Sequence, residues 1–265
     1  MNLLLIFLAL IAIIAIVLMI VYLLQEKFIF LKGEKIDREH QFTFSNKFEE
    51  IFIKTDGNNV VNALHFKLDK PKGIILYCHG NNGNLEKWGS RVSYFLSYNY
   101  DVLVFDYRNY GKSTGAFIED KMYNDALLVY KHIKASFKEE EIVVYGFSLG
   151  STFATKIASI NKPKELILEA PFFNFNKAVK FYSKLAPTFL LKYKFRSDLD
   201  IVNVSAPITI FHGNKDQITS FKEAKLLLEQ NSCRDNYFVK IEGGTHHNIR
   251  DSKLYKLKLQ EILDR

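Results

Sequence analysis

The serine of Gly146-Phe147-Ser148-Leu149-Gly150 stands between a β-branched run, Ile142-Val143-Val144-Tyr145, and a helical stretch from Ser151 to Ile160. A sharp strand-to-helix turn thrusts a hydroxyl out of the backbone, and flanking glycines let such a turn pass close to its neighbours. A serine so placed is set up for nucleophilic attack. The free N–H groups opening the following helix point at whatever it attacks, and they favour the negative charge that builds on an acyl oxygen. A structural Gly-Ser turn has the same letters, so the meaning of the pentapeptide depends on what accompanies it.

Three further segments accompany it. Pro207-Ile208-Thr209-Ile210-Phe211 reads as a buried strand running into His212-Gly213-Asn214-Lys215-Asp216. Tyr237-Phe238-Val239-Lys240-Ile241 runs into Glu242-Gly243-Gly244-Thr245-His246-His247-Asn248, which offers two candidate bases. Upstream, Gly73-Ile74-Ile75-Leu76-Tyr77-Cys78 opens into His79-Gly80-Asn81-Asn82-Gly83-Asn84. Acyl transfer needs two N–H groups converging on one oxygen. The residue after the nucleophile supplies one and the turn after His79-Gly80 the other, which assigns the oxyanion hole to the backbones of Leu149 and Asn81.

These segments, with Asp106-Tyr107-Arg108-Asn109-Tyr110-Gly111-Lys112-Ser113, resemble the α/β-hydrolases, and most of all the N-terminally membrane-anchored α/β-hydrolase-domain serine hydrolases, a group of esterases and protein depalmitoylases. The resemblance runs from about Phe44 to the end of the chain. It implies a serine, acid, histidine order, with Asp216 as the acid and the histidine after Gly-Gly-x, His246, as the base. His247 is the rival, since adjacent side chains point in different directions and only one imidazole can face Ser148. The family usually has glycine where this chain has Asn109; asparagine tolerates a left-handed backbone, so the turn is expected to survive. As a zinc site the His246-His247 pair has the wrong spacing and lacks nearby ligands. Neither a metal nor an organic cofactor is required, because the nucleophile, base and electrostatic stabiliser are all protein groups.

From Leu3 to Leu24 the chain carries 22 residues without a charge. As a helix they extend about 33 Å, enough to cross a bilayer. A cleaved signal peptide has a shorter apolar region preceded by basic residues, and here only Met1-Asn2 come first, so residues 1–25 are expected to be an uncleaved anchor. Lys27, Lys32, Lys35 and Arg38 all lie on the C-terminal flank, which by the positive-inside rule places the catalytic domain in the cytoplasm. The two cysteines, Cys78 and Cys233, do not suggest a disulfide framework.

Residues 26–265 suit one α/β domain, with no Pro, Gly or Ser-rich linker dividing them. Strand-like runs at about 50–55, 60–68, 73–79, 101–106, 142–146, 165–170, 207–212 and 237–241 alternate, after the third, with helical stretches. This predicts an α/β-hydrolase fold with a mostly parallel sheet covered by helices on both faces. Gly111-Lys112-Ser113 is not a phosphate loop, since the required upstream glycine is Asp106. The net charge of +7 comes with no nucleic-acid-binding motif, and no nucleic-acid partner is expected.

The positive charge is unevenly placed. Between Glu169 and Asp198 there is no acidic residue, yet Lys177, Lys180, Lys184, Lys192, Lys194 and Arg196 occur there. Lys177, Lys180 and Lys184 are expected on one helical face, with Ala178, Phe181, Tyr182 and Leu185 on another, and Pro187 is expected to end the helix. The segment at about 172–198 lies where α/β-hydrolases insert a lid; it is either that or a solvated lysine face over packed aromatics. The chain thus reads as a membrane-anchored serine hydrolase acting on lipophilic acyl esters or thioesters through an acyl-enzyme. The alternatives are a serine peptidase and a catalytically silent membrane adaptor built on the hydrolase fold.

Overall fold

The computed structural model describes residues 3–265 of the chain, so Met1 and Asn2 of the expected anchor lie outside the described residues. Helix α1 (Leu3–Ile29) precedes β1 (Phe48–Lys54), β2 (Val60–Phe66), β3 (Ile74–Cys78), α2 (Leu85–Val92), β4 (Asp101–Phe105) and α3 (Glu119–Ile133). There follow β5 (Ile142–Phe147), α4 (Gly150–Ile160), β6 (Glu165–Glu169), α5 (Phe175–Tyr182), α6 (Ser197–Asp200), β7 (Ile208–Gly213), α7 (Phe221–Glu229), β8 (Tyr237–Ile241) and α8 (Lys253–Asp264). All eight expected strands are found, in one sheet of order β1-β2-β4-β3-β5-β6-β7-β8. Only the β1–β2 and β2–β4 pairings are antiparallel.

The central strands β3 and β5 are buried and apolar along their length because both sheet faces are covered there, whereas β1 and β8, at the two edges, carry charged and exposed residues. Successive side chains alternate across the pleat. Ile74, Leu76 and Cys78 therefore pack with Phe153 and Ile157 of α4 and Val129 of α3, whereas Ile75 and Tyr77 pack with Trp88 of α2 and Leu259 of α8. Strand order reverses beside β3, whose neighbours are β4 and β5. The crevice at the carboxyl ends of β3 and β5 is thus a topological switch point, where open α/β sheets place their ligands.

Helix α1 carries exposed Leu, Ile and Val side chains along its length, and it is long and apolar enough to cross a membrane. It continues past Leu24, and its last turn is built into the domain. Gln25 is buried; its Nε2 donates to the Leu190 carbonyl (3.1 Å) and its Oε1 accepts from Lys192 N (2.9 Å). The Tyr193 hydroxyl donates to Glu26 Oε1 (2.8 Å).

The basic helix is shorter than its periodicity predicts. α5 ends at Tyr182, with Ser183 extended, so Lys184 and Leu185 lie beyond it. Beyond it residues 183–186 form a turn closed by Ala186 N on the Ser183 carbonyl (3.1 Å), and Pro187 disfavours a helical Ala186. The apolar side of this segment is covered only in part: Phe173, Phe175 and Ala178 pack on the core, but the residues around the end of α5 do not. Tyr182, Leu185 and Phe189 are 73%, 95% and 74% exposed, while Lys177 lies over the Phe173 ring and 3.9 Å from Glu223.

Candidate active site

Ser148 sits immediately after β5 with a φ of 51°, a left-handed conformation that costs a non-glycine residue about 1–3 kcal/mol. The turn is held because Ser148 N donates to the Glu169 carbonyl at the end of β6 (2.9 Å), and the Ser148 carbonyl accepts from Ser151 N (3.0 Å) and Ser151 Oγ (2.6 Å). Glycine flanks it for close approach: a Cβ on Gly146 would lie 2.6 Å from Ser151 Cα, and one on Gly150 would lie 1.9 Å from the Cys78 carbonyl oxygen.

The structure brings Ser148, His246 and Asp216 together from the ends of β5, β8 and β7. The Ser148 hydroxyl lies 3.0 Å from His246 Nε2, and His246 Nδ1 lies 2.7 Å from Asp216 Oδ2. Burial alone would raise the Asp216 carboxyl. The His246 contact and the backbone N–H groups of Thr219 (2.9 Å) and Ile218 (2.7 Å) outweigh it and hold the group below its ordinary value. An ionised carboxylate only accepts, so Nδ1–H donates to it and Nε2 is left to accept from the serine. His247 is exposed, and its ring stands almost perpendicular to that of His246, 5.1 Å away. Asp198 and Asp200, the acidic residues that precede Asp216 in sequence, are paired elsewhere, with Arg196 and Lys156.

Leu149 caps α4 and Asn81 lies in the loop after β3. Among the described residues neither backbone N–H donates to a protein acceptor. The loop is set by a buried pair, His79 Nε2 and Asp106 Oδ1 at 3.1 Å, with the His79 Nδ1–H on the Gly80 carbonyl (2.7 Å) and Tyr107 OH on the His79 carbonyl (2.6 Å). Asn109 does adopt the left-handed backbone, at φ 61°, and its Oδ1 accepts from Lys32 Nζ (2.8 Å).

Residues beyond those read from the sequence contact this arrangement. The Thr219 hydroxyl donates to Asp216 Oδ2 (2.9 Å), so the acid is fixed by a local D-x-x-T turn that the spacing Asp216 to Thr219 could have signalled. His212 lies behind them, 3.3 Å from Thr219 Oγ1, and burial lowers its pKa so that it stays neutral. Arg250 joins the histidine loop to Glu169 through Nε and Oε2 (2.8 Å), a pairing with no signature in the sequence.

The family described as serine aminopeptidase, S33 (Hydrolase_4) has a model that matches residues 69–202, just over half of the chain. The chain is 27% identical over 244 residues to an uncharacterized protein of Acanthamoeba polyphaga mimivirus, covering 82% of each. It is 31% identical over 209 residues to lysophosphatidylserine lipase ABHD12 of Gallus gallus, covering 69% of this chain and 55% of that one. The chain therefore spans about half the length of the lipases it matches. Its fold is that of the Pyrococcus furiosus esterase Pf2001, with a TM-score of 0.70 at 19% identity over 88% of this chain and 98% of the esterase. The chain belongs to the matched family of hydrolases, and with it to the α/β-hydrolase superfamily.

Proposed function

We propose that the protein is a membrane-held serine hydrolase that cleaves acyl esters or thioesters through an acyl-enzyme. The observation that carries this reading is the continuous contact from Ser148 through His246 to Asp216 beside two N–H groups without a protein acceptor. In the proposed cycle Ser148 Oγ attacks the acyl carbon while His246 Nε2 takes its proton, and the Asn81 and Leu149 N–H groups hold the oxyanion. His246 then protonates the leaving alcohol or thiol. A water, deprotonated by the same nitrogen, releases the acid and restores the serine. Asp216 orients the ring and stabilises its charged form.

The anchor, residues 1–25, and the catalytic domain, residues 26–265, form the proposed division of the chain, with the domain on the cytoplasmic side because the flanking Lys27, Lys32, Lys35 and Arg38 all follow the helix. The relatives named as lipases support an ester substrate with a lipophilic acyl chain. A peptidase is the second reading, favoured by the description of the matching family. A fluorophosphonate probe run beside ester, thioester and aminoacyl-amide panels tests both. Ser148 should be labelled, Ser148→Ala should not, and esters or thioesters should turn over fastest. No labelling of the folded protein would instead support the silent adaptor.

The segment at 172–198 is proposed as a lipid-facing lid. Its exposed Phe181, Tyr182, Leu185 and Phe189 adjoin the 188–193 stretch that grips the end of α1, so the anchor would hold them at the bilayer surface. A lysine near an anionic surface contributes about 1 kcal/mol. A chain lacking residues 1–24, which keeps the buried Gln25, should bind anionic vesicles more weakly as salt rises. Lys180→Glu with Lys184→Glu should cut that binding by roughly 30-fold or more, at about 1.4 kcal/mol per factor of ten, and leave hydrolysis of a short soluble ester unchanged. Salt-independent binding would refute the electrostatic part of this proposal.

A further inference from the structure

The chain leaving α1 does not hang free as a linker; it is laid across the loop that carries Asn81. The Asn81 side chain donates through Nδ2 to the Ile29 carbonyl and accepts at Oδ1 from Leu31 N (3.3 Å). Two residues on, Gly83 N donates to the Leu31 carbonyl (2.9 Å), and Asn84 Nδ2 donates to the Glu34 carbonyl (2.9 Å). Residues 29–34 thus grip three of the four residues 81–84. Phe30, between the gripping positions, is buried, stacked on Phe117 at 4.3 Å and edge-on to Tyr193 at 4.8 Å. From the other side the Tyr110 hydroxyl reaches both the Asn81 carbonyl (3.0 Å) and its Oδ1 (2.8 Å).

We infer that the strap Ile29–Glu34 is a positioning element of the catalytic centre, with the Asn81 side chain as the handle by which it aims the Asn81 backbone N–H at the oxyanion. This rests on the catalytic reading of Ser148 given above. The physical reason is the sensitivity of the hole to placement. Removing one oxyanion donor costs about 10²–10³ in kcat, and a misplacement of about 1 Å costs about 10²-fold. The peptide that presents the Asn81 N–H lies in a loop rather than in a helix or strand: its own carbonyl, that of Gly80, accepts from His79 Nδ1 (2.7 Å), and its other end is set by what holds the Asn81 side chain and carbonyl. Two of the four hydrogen bonds to the Asn81 side chain and carbonyl come from residues at and just beyond the end of the membrane-spanning helix. The anchor is therefore joined mechanically to the chemistry as well as to the bilayer.

The test uses the full chain in detergent micelles, comparing Asn81→Ala, Phe30→Ala and their combination with the parent, and Ser148→Ala as the blank. Asn81→Ala keeps the backbone N–H but removes the handle. It should lower kcat about 10- to 100-fold with KM within about threefold. Affinity for a trifluoromethyl ketone, whose hemiketal oxygen occupies the oxyanion hole, should fall in parallel with kcat/KM. Phe30→Ala should act in the same direction, and the double variant should lose less than the product of the two single losses, because both act through one N–H. Melting temperature is read alongside; a merely structural role would lower it without moving kcat or ketone affinity. Should Phe30→Ala fail to fold, Asn81→Ala decides alone, since it trims one amide from a half-buried loop. Ser148-dependent turnover that is unchanged in Asn81→Ala overturns the inference and leaves the hydrolase reading standing. Absence of Ser148-dependent turnover in the parent overturns the catalytic reading and this inference with it.

Discussion

Ser148→Ala and His246→Ala should each lower turnover by several orders of magnitude, up to about 10⁶-fold, and combining them should add little. The reason for non-additivity is the single proton path: the serine is 3.0 Å from Nε2, and neither group has another partner for attack. His247→Ala should be mild, because that ring is exposed and turned away. Asp216→Asn should cost less than either partner, about 10⁴-fold, since an amide can donate to Nδ1 and so favour the wrong tautomer of His246. The pH profile supplies an independent check. A carboxyl held below its ordinary value contributes stability above its unfolded value of about 3.9 and loses it only as pH falls through the lower folded value. Asp216 should therefore place no inflection in the rate above about pH 4. Steady-state rates and profiles for the four variants measure all of this, and an inactive His247→Ala beside a nearly normal His246→Ala would reverse the assignment of the base.

How far the letters foretold the molecule depends on how local each feature is. Buried parallel strands leave continuous β-branched runs, so Ile74-Ile75-Leu76 and Ile142-Val143-Val144 announce themselves, and the candidate residues lie in the loops that follow strand-like runs. Ser148, Asp216 and His246 were legible as candidates for that reason. The end of α5 was not, because Lys184 and Leu185 continue the helical period and no residue type marks the break at Ser183, four residues before the proline expected to end the helix. The strap over Asn81 joins the Asn81 and Asn84 side chains to backbone groups about fifty residues away, and nothing in the residues on the strap side marks those partners. Glu169 and Arg250 are 81 residues apart, and a lone glutamate at a strand end reads as an ordinary surface charge. Only the fold makes them neighbours.

That pair yields the largest expected effect on stability. Arg250, half-buried, packs against the rings of Tyr77, Phe95 and Tyr145, with Nε on Glu169 Oε2 and Nη2 on the Tyr77 hydroxyl. Glu169 Oε2 also accepts from Tyr145 OH (2.7 Å), whose oxygen lies 2.9 Å from Tyr255 OH. Burial pushes the hydroxyls of Tyr77, Tyr145 and Tyr255 up, so all three stay protonated at neutral pH. The guanidinium is thus the cation that balances the Glu169 carboxylate in a closed polar cluster. Arg250→Met leaves that carboxylate 2% exposed and uncompensated, a defect of about 3–5 kcal/mol. For a chain of this size that corresponds to a fall in melting temperature of roughly 6–20 °C. Glu169→Gln added to Arg250→Met should recover part of the loss, because it is the orphaned charge rather than the missing contact that costs most. The same cluster ties the loop bearing His246 to the strand end whose carbonyl holds Ser148 N, so folded Arg250→Met should also turn over more slowly at temperatures well below its melting point. Calorimetry of the two single variants and the double one, with rates measured at low temperature, separates the two effects. Equal melting temperatures for Arg250→Met and the parent would show that the cluster has no net role in holding the loop.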